Sequence, residues 1–245
     1  MPLFVGTSGW DYPEWKGGFY PERLPHSRFL EHYSSSLSAC EINTTFYRVQ
    51  PKGTFERWMS STPGDFRFAA KAHRRLTHTK QIGSARDEPF LREFIESLEP
   101  LGDRLKCLLI QFPPYRERDD EGIARLLAGI PAELPYALEF RHESWQSPDV
   151  DERIVEMGGT VCVSDTEGDA LSELPAGRIA YVRLRADRYT EEQREAWLEL
   201  LTGEAEQRDV YAFAKHKDVA SDDPYTGAGF AQWLVERSTS RETCS

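Results

Sequence analysis

The residues best suited to chemistry in this chain are acids, bases and cations that recur two positions apart just ahead of loops. The clearest case is the run Ala137-Leu-Glu-Phe-Arg-His-Glu-Ser-Trp145. Residues 137–141 read as a short strand, in which alternate side chains share a face. Glu139 and Arg141 therefore point one way while Leu138 and Phe140 point the other. Charges inside a protein are costly unless paired and hydrogen-bonded. The stretch thus reads either as a buried structural ion pair or as a strand that opens into a polar site, with His142 and Trp145 following at once. The same spacing recurs in Glu41 with Asn43 and in Arg183 with Arg185, and Lys71, Gln111, Asp165 and Lys215 each close a further strand-like segment.

These residue types support general acid/base chemistry on an anionic substrate. Glu139 or Glu41 would serve as base and His142 or His78 as acid, because their surroundings can move such groups toward neutrality. Lys71 and Asp165 complete the catalytic candidates. Lys71, Arg141, Arg183, Arg185 and Lys215 would clamp a phosphate or carboxylate, which guanidinium groups hold in bidentate fashion. Asn43, Tyr47, His78, Gln111 and Trp145 are candidate substrate contacts. Lys71 could also form a Schiff base, although an ion pair with Glu41 is the stronger expectation. Glu41, Glu139 and Asp165 with a nearby histidine have the donor types for a divalent metal. The cations oppose one and no HExxH-type spacing occurs, so the sequence requires no cofactor.

Such residues need elements to position them. Eight strand-like segments (3–8, 39–43, 66–71, 105–112, 137–141, 160–165, 179–183 and 209–215) alternate with helical patterns. Ser27 is the expected cap of a helix with Phe29, Leu30, Tyr33 and Leu37 on one face. Ser147-Pro148 is the expected start of another helix, and Thr190-Glu-Glu-Gln193 is a capping-box pattern. Only a short helical piece follows 160–165. The chain has 245 residues, close to the roughly 250 typical of a (β/α)8 barrel. The expected fold is therefore α/β, a TIM-type (β/α)8 barrel forming a single domain over 1–238, with 239–245 as a C-terminal tail. A doubly wound sheet would want a glycine-rich phosphate turn, and Gly6-Thr-Ser-Gly9 lacks the spacing. In a barrel the strand C-termini build the active site, and the candidates above sit at those ends.

Composition narrows the partners. A net charge of −11 opposes broad attachment to nucleic acid or anionic membrane. A small anionic molecule is the expected partner. One alternative is single-stranded nucleic acid, drawn by the basic loop with Lys71, Arg74, Arg75 and Lys80 and by aromatics able to stack bases. Another is a non-catalytic binding or scaffold barrel, with the loop aromatics simply packed. No apolar run is long enough to span a bilayer, which takes about 18 residues or more. The N-terminus lacks the pattern of a secretion signal. Cys40, Cys107, Cys162 and Cys244 form no CxxC pair, which argues against metal clusters and a disulfide framework. A cytoplasmic location is expected.

Several motifs together resemble the YecE-like proteins, known as domain of unknown function 72. They are Gly6-Thr-Ser-Gly-Trp10, Phe19-Tyr-Pro21, Glu41-Ile-Asn-Thr-Thr-Phe-Tyr47, Lys71-Ala, Thr77-His78, Gln111-Phe-Pro-Pro114 and Glu139-Phe-Arg-His142 with Trp145. They cover nearly the whole chain. The resemblance implies a TIM-type barrel and supplies no reaction. Leu184-Arg-Ala186 stands where many members have Leu-His-Gly, and Ala214-Lys-His-Lys-Asp218 where many have an asparagine-rich turn. His73 replaces a small residue. The first two departures add positive charge, as a more anionic ligand would require.

Overall fold

Small side chains on one half of the strands and aromatic ones on the other determine how the interior of this protein fills. The computed structural model describes residues 2–216 and 221–242. Its strands are β1 (Leu3–Thr7), β2 (Ala39–Ile42), β3 (Arg67–Lys71), β4 (Leu105–Gln111), β5 (Tyr136–Glu139), β6 (Thr160–Val161), β7 (Val163–Asp165), β8 (Ala180–Leu184) and β9 (Val210–Ala214). They form one parallel sheet in the order β6-β5-β4-β3-β2-β1-β9-β8-β7. The two ends of that order are halves of a single segment. β6 pairs with β5, β7 pairs with β8, and between them the Cys162 amide donates to the Leu138 carbonyl at 2.9 Å. The expected sixth strand is thus broken at Cys162, where it changes partner and brings the sheet nearly to closure as a TIM-type barrel.

Outside the sheet lie α1 (Phe29–Ser36), α2 (Thr44–Tyr47), α3 (Lys52–Ser60), α4 (Arg74–Thr77), α5 (Glu88–Leu98), α6 (Asp120–Leu127), α7 (Val150–Glu156), α8 (Glu191–Ala205) and α9 (Gly227–Glu242). Amphipathic faces hold them there: Leu91, Phe94 and Leu98 of α5 are buried, as are Trp197, Leu198 and Leu201 of α8. Each buried side chain of this size contributes about 1.5–3 kcal/mol. The capping box at the start of α8 is formed, Thr190 with Gln193. None of the described helices is long and apolar enough to cross a membrane.

Several boundaries differ from expectation. A short helical turn over His26–Arg28 precedes α1, so Arg28 and not Ser27 occupies the cap. Asp149 precedes α7, two residues beyond Ser147. No helix lies between β7 and β8 among the described residues. The expected tail also begins later, because α9 runs on to Glu242. Within α9 the Ser238 and Thr239 hydroxyls bond back to the Val235 carbonyl, and Ser240 to that of Glu236, so these polar side chains fold onto the helix. Lys217 and Asp218 of the expected basic turn lie outside the described residues.

Inside the barrel, β2 to β5 contribute Ala39, Ala69, Cys107 and Ala137, while β1, β8 and β9 contribute Phe4, Tyr181, Tyr211 and Phe213. Small against large fills a narrow barrel without voids. Gly6 belongs to the same economy: a Cβ there would lie 1.9 Å from the Ala39 carbonyl oxygen, so β1 and β2 approach only because it is glycine.

Candidate active site

Above this apolar layer, alternation along each strand brings Glu41, Lys71, Gln111, Glu139 and Arg183 to the C-terminal mouth, all of them buried. Arg183 is the hub. Its Nε and Nη2 donate to the two oxygens of Glu41 at 3.0 and 2.9 Å, and its Nη1 donates to Glu139 Oε2 at 2.6 Å. Gln111 Nε2 donates to the same Glu139 oxygen at 2.7 Å, while Gln111 Oε1 accepts from Lys71 Nζ at 2.8 Å. Arg141 Nε donates to Glu139 Oε1 at 2.9 Å. Arg185 donates to Ser8 Oγ at 2.6 Å, and Ser8 Oγ donates to Glu41 Oε1 at 2.7 Å.

Three contributors lie outside the candidate residues named from the sequence, although Ser8 and Phe46 fall within its quoted motifs. Ser8 bridges Arg185 to Glu41, and Tyr181 donates its hydroxyl to Glu41 Oε2 at 2.9 Å from the layer below. Tyr181 lies two residues before Arg183, so the periodicity that pairs Glu139 with Arg141 also points to it. Phe46 is a third: its ring centroid is 4.3 Å from Lys71 Nζ. Thr45 fixes the exit of β3 by donating to the Lys71 carbonyl at 2.7 Å.

Electrostatics separates these groups. Burial opposes ionisation of Glu41, but the Arg183 and Arg185 guanidiniums outweigh it and hold the carboxyl down at about 2. Glu139 is lowered in the same way, burial again being overcome by Arg183 and Arg141. Both carboxylates are therefore fixed anions with occupied oxygens, poorly suited to take a proton. Lys71 behaves oppositely: burial, reinforced by Arg183, brings its ammonium down to about 8. Burial and the cations Arg74 and Lys71 also lower His78, so its ring is neutral at pH 7. That ring sits 5.3 Å from Phe46, with its Nδ1 2.9 Å from the Thr77 hydroxyl.

The remaining candidates lie elsewhere. The pairing of Ser164 with Arg183 and of Asp165 with Leu184 turns Asp165 away from the interior. Its carboxylate instead accepts from the Glu167 and Gly168 amides and from the Tyr189 hydroxyl, which pins the following loop. His142 leaves the cluster because the strand ends at Glu139; its Nδ1 caps the turn Glu143–Trp145 by accepting from the Ser144 amide. Trp145 is buried, stacked on Phe140 at 3.9 Å, and supports β5 from outside. Lys215 stands at the rim, paired with Asp187 at 3.3 Å. Asn43 lines a separate cleft with Trp10, Tyr12 and Trp58. Tyr47 is 69% exposed beside Phe46. In the basic loop, Arg75 pairs with Asp87 and covers Phe90, which offsets part of the charge offered to nucleic acid.

No group of three His, Cys, Asp or Glu residues is placed to hold a metal ion among the described residues. Glu41 and Glu139 are engaged with Arg183, and Asp165 faces away. A cavity of about 860 Å3 lies at the other end of the barrel, among Leu105, Pro135, Ile179, Asp209 and Tyr211, remote from all of these groups.

Comparison with known proteins places this architecture. Residues 4–243 match the model of the family described as "Protein of unknown function DUF72". UPF0759 protein YunF of Bacillus subtilis (strain 168) is 32% identical over 152 residues, which are 60% of this chain and 53% of that relative, so the match spans about half of the relative's length. A DUF72 family protein from Thermotoga maritima MSB8 superposes with a TM-score of 0.78 at 26% identity, covering 96% of this chain and 98% of the other. One from Enterococcus faecalis V583 gives a TM-score of 0.74 at 18% identity, over 97% and 95%, and shares the fold. The motifs at the mouth and the match along the sequence agree: the chain belongs to the DUF72 family, to which the name YecE-like also refers.

Proposed function

We propose that this barrel is an enzyme acting on a small phosphate- or carboxylate-bearing molecule by acid/base chemistry at the C-terminal mouth. The observation that carries the reading is the charge balance there. Among the described residues, Arg141, Arg183 and Arg185 pair with Glu41 and Glu139, which leaves an excess of positive charge that a protonated Lys71 increases. Arg183 is consumed by the two glutamates. Arg141 is not: its Nε holds Glu139, its side chain is 46% exposed, and its terminal nitrogens make no hydrogen bond among the described residues. Arg185 has a buried Nε without a partner among the described residues. An anion at the mouth would satisfy both.

The glutamates act here as scaffolding that orients the cations, and proton transfer falls to Lys71 and His78. Lys71 is brought down to about 8, close enough to neutrality to give and take a proton, and burial lowers His78 so that its ring can accept one. The test is a melting-temperature screen with inorganic phosphate and a panel of phosphorylated and carboxylated metabolites. Ligands that bind only the folded state raise the melting temperature. At least one anion should do so in the native sequence and lose most of its effect in Arg141→Ala. If none does, the reading fails.

A further inference from the structure

Lys71 differs from the other cations of the mouth in what it touches. The sequence leads one to expect an ion pair with Glu41, yet both Glu41 oxygens are occupied by Arg183, Ser8 and Tyr181. Those of Glu139 are occupied by Arg183, Gln111 and Arg141. The lysine has one hydrogen bond among the described residues, to the neutral amide oxygen of Gln111. Its side chain lies over the face of Phe46 and the residue is only 8% exposed. An amine that is desolvated, flanked by guanidiniums and without a carboxylate partner is built to become a nucleophile. Gln111 fixes its direction, because the amide donates to Glu139 at its other end and cannot flip without losing both bonds.

Resting on the anion-binding reading above, we propose that Lys71 forms a Schiff base with a small carbonyl compound carrying a carboxylate or phosphate. Oxo acids and phosphorylated aldehydes or ketones share that chemistry. The net step is balanced without a redox partner: the lysine ammonium and the carbonyl compound give a protonated imine and one water. The carbon–oxygen double bond breaks, a carbon–nitrogen double bond forms at Nζ, and two nitrogen protons leave with the oxygen. Total charge is unchanged, so the Phe46 face that supports the ammonium supports the iminium equally. Arg141 offers its free nitrogens to the anionic group. His78, neutral and beside these cations, carries protons to and from the departing oxygen.

The experiment is reduction with borohydride of the full-length protein in the presence of pyruvate, oxaloacetate, dihydroxyacetone phosphate or glyceraldehyde phosphate. Intact mass and peptide mapping then locate the adduct. At least one compound should label Lys71, with more than about tenfold excess over any exposed lysine at pH 8, because an ordinary lysine is almost fully protonated there. Added phosphate should suppress the labelling, and Lys71→Arg and Lys71→Met should abolish it while still melting cooperatively. Labelling spread evenly over surface lysines overturns the proposal. No adduct at Lys71 with any of the four, while phosphate still raises the melting temperature, overturns the Schiff base alone. No adduct and no stabilisation by any anion overturns the site as a whole.

Discussion

The two halves of the barrel interior are filled on opposite principles. The lower half packs Phe4, Ala39, Cys107, Leu109, Tyr211 and Phe213 into a buried apolar layer. The upper half holds Glu41, Glu139 and Arg183, whose side chains are 0%, 2% and 6% exposed, in a closed lattice of ion pairs. The lower half gains stability from burial itself. The upper half must first offset the desolvation of three charges, and hydrophobic groups would serve stability as well there or better. Its charged filling therefore points to a task other than holding the strands together. At its outer edge Glu139 orients Arg141 directly and Lys71 through Gln111, and Arg183 adds to the burial that lowers the Lys71 ammonium.

The sharpest way to break this contrast is to remove one charge from the upper half. Glu41→Ala leaves Arg183 buried with one remaining anion and should destabilise by about 3–5 kcal/mol, read by urea unfolding. Leu109→Ala in the lower half should cost about 2–5 kcal/mol through the cavity it leaves. The two should part company in their response to acid. Glu41 binds its proton less readily in the folded state, about 2 against 4.5 when free. Its contribution is present above pH 4.5 and is lost as pH falls toward 2. Leu109→Ala should keep this acid sensitivity and Glu41→Gln should flatten it; equal profiles would end the distinction.

A smaller effect sharpens the outer edge. Lys71 titrates at about 8 when folded and 10.5 when free, so between those values the unfolded chain holds more protons. Stability should rise with pH across that window, and Lys71→Met should remove the rise. A native profile that is flat from pH 8 to 10.5 would place the lysine in an ordinary aqueous setting. The smallest effect on stability belongs to Arg141→Ala, under about 1 kcal/mol because the pair it breaks is half exposed. A loss above 2 kcal/mol would move Arg141 from the edge into the lattice.

How far the sequence shows this division depends on the range of the interaction involved. The facing of Tyr181 with Arg183 follows from alternation within β8 and can be read residue by residue, whereas Arg141 meets Glu139 from just beyond the end of β5. Asp165 shows where that stops. The segment from Thr160 to Asp165 changes partner at Cys162, and the pairing of Ser164 with Arg183 turns Asp165 outward. Nothing local signals such an exchange, since both halves have ordinary strand composition. His142 and Trp145 mislead for a related reason: the chain leaves the strand after Glu139 and enters a short turn that His142 caps.

By itself, the sequence determined most of the alternation of strands and helices and the polar residues at the strand ends. These follow from propensity and period, which act over a few residues. The tertiary structure alone decided who pairs with whom: Glu41 with Arg183 across 142 residues of chain, Ser8 with Arg185, and Lys71 with a neutral amide in place of a carboxylate. Each ion could satisfy several partners equally well in isolation. Only the closure of the sheet, which fixes distances among strand ends, selects one set and leaves the Lys71 amine on Gln111 without a carboxylate hydrogen bond among the described residues.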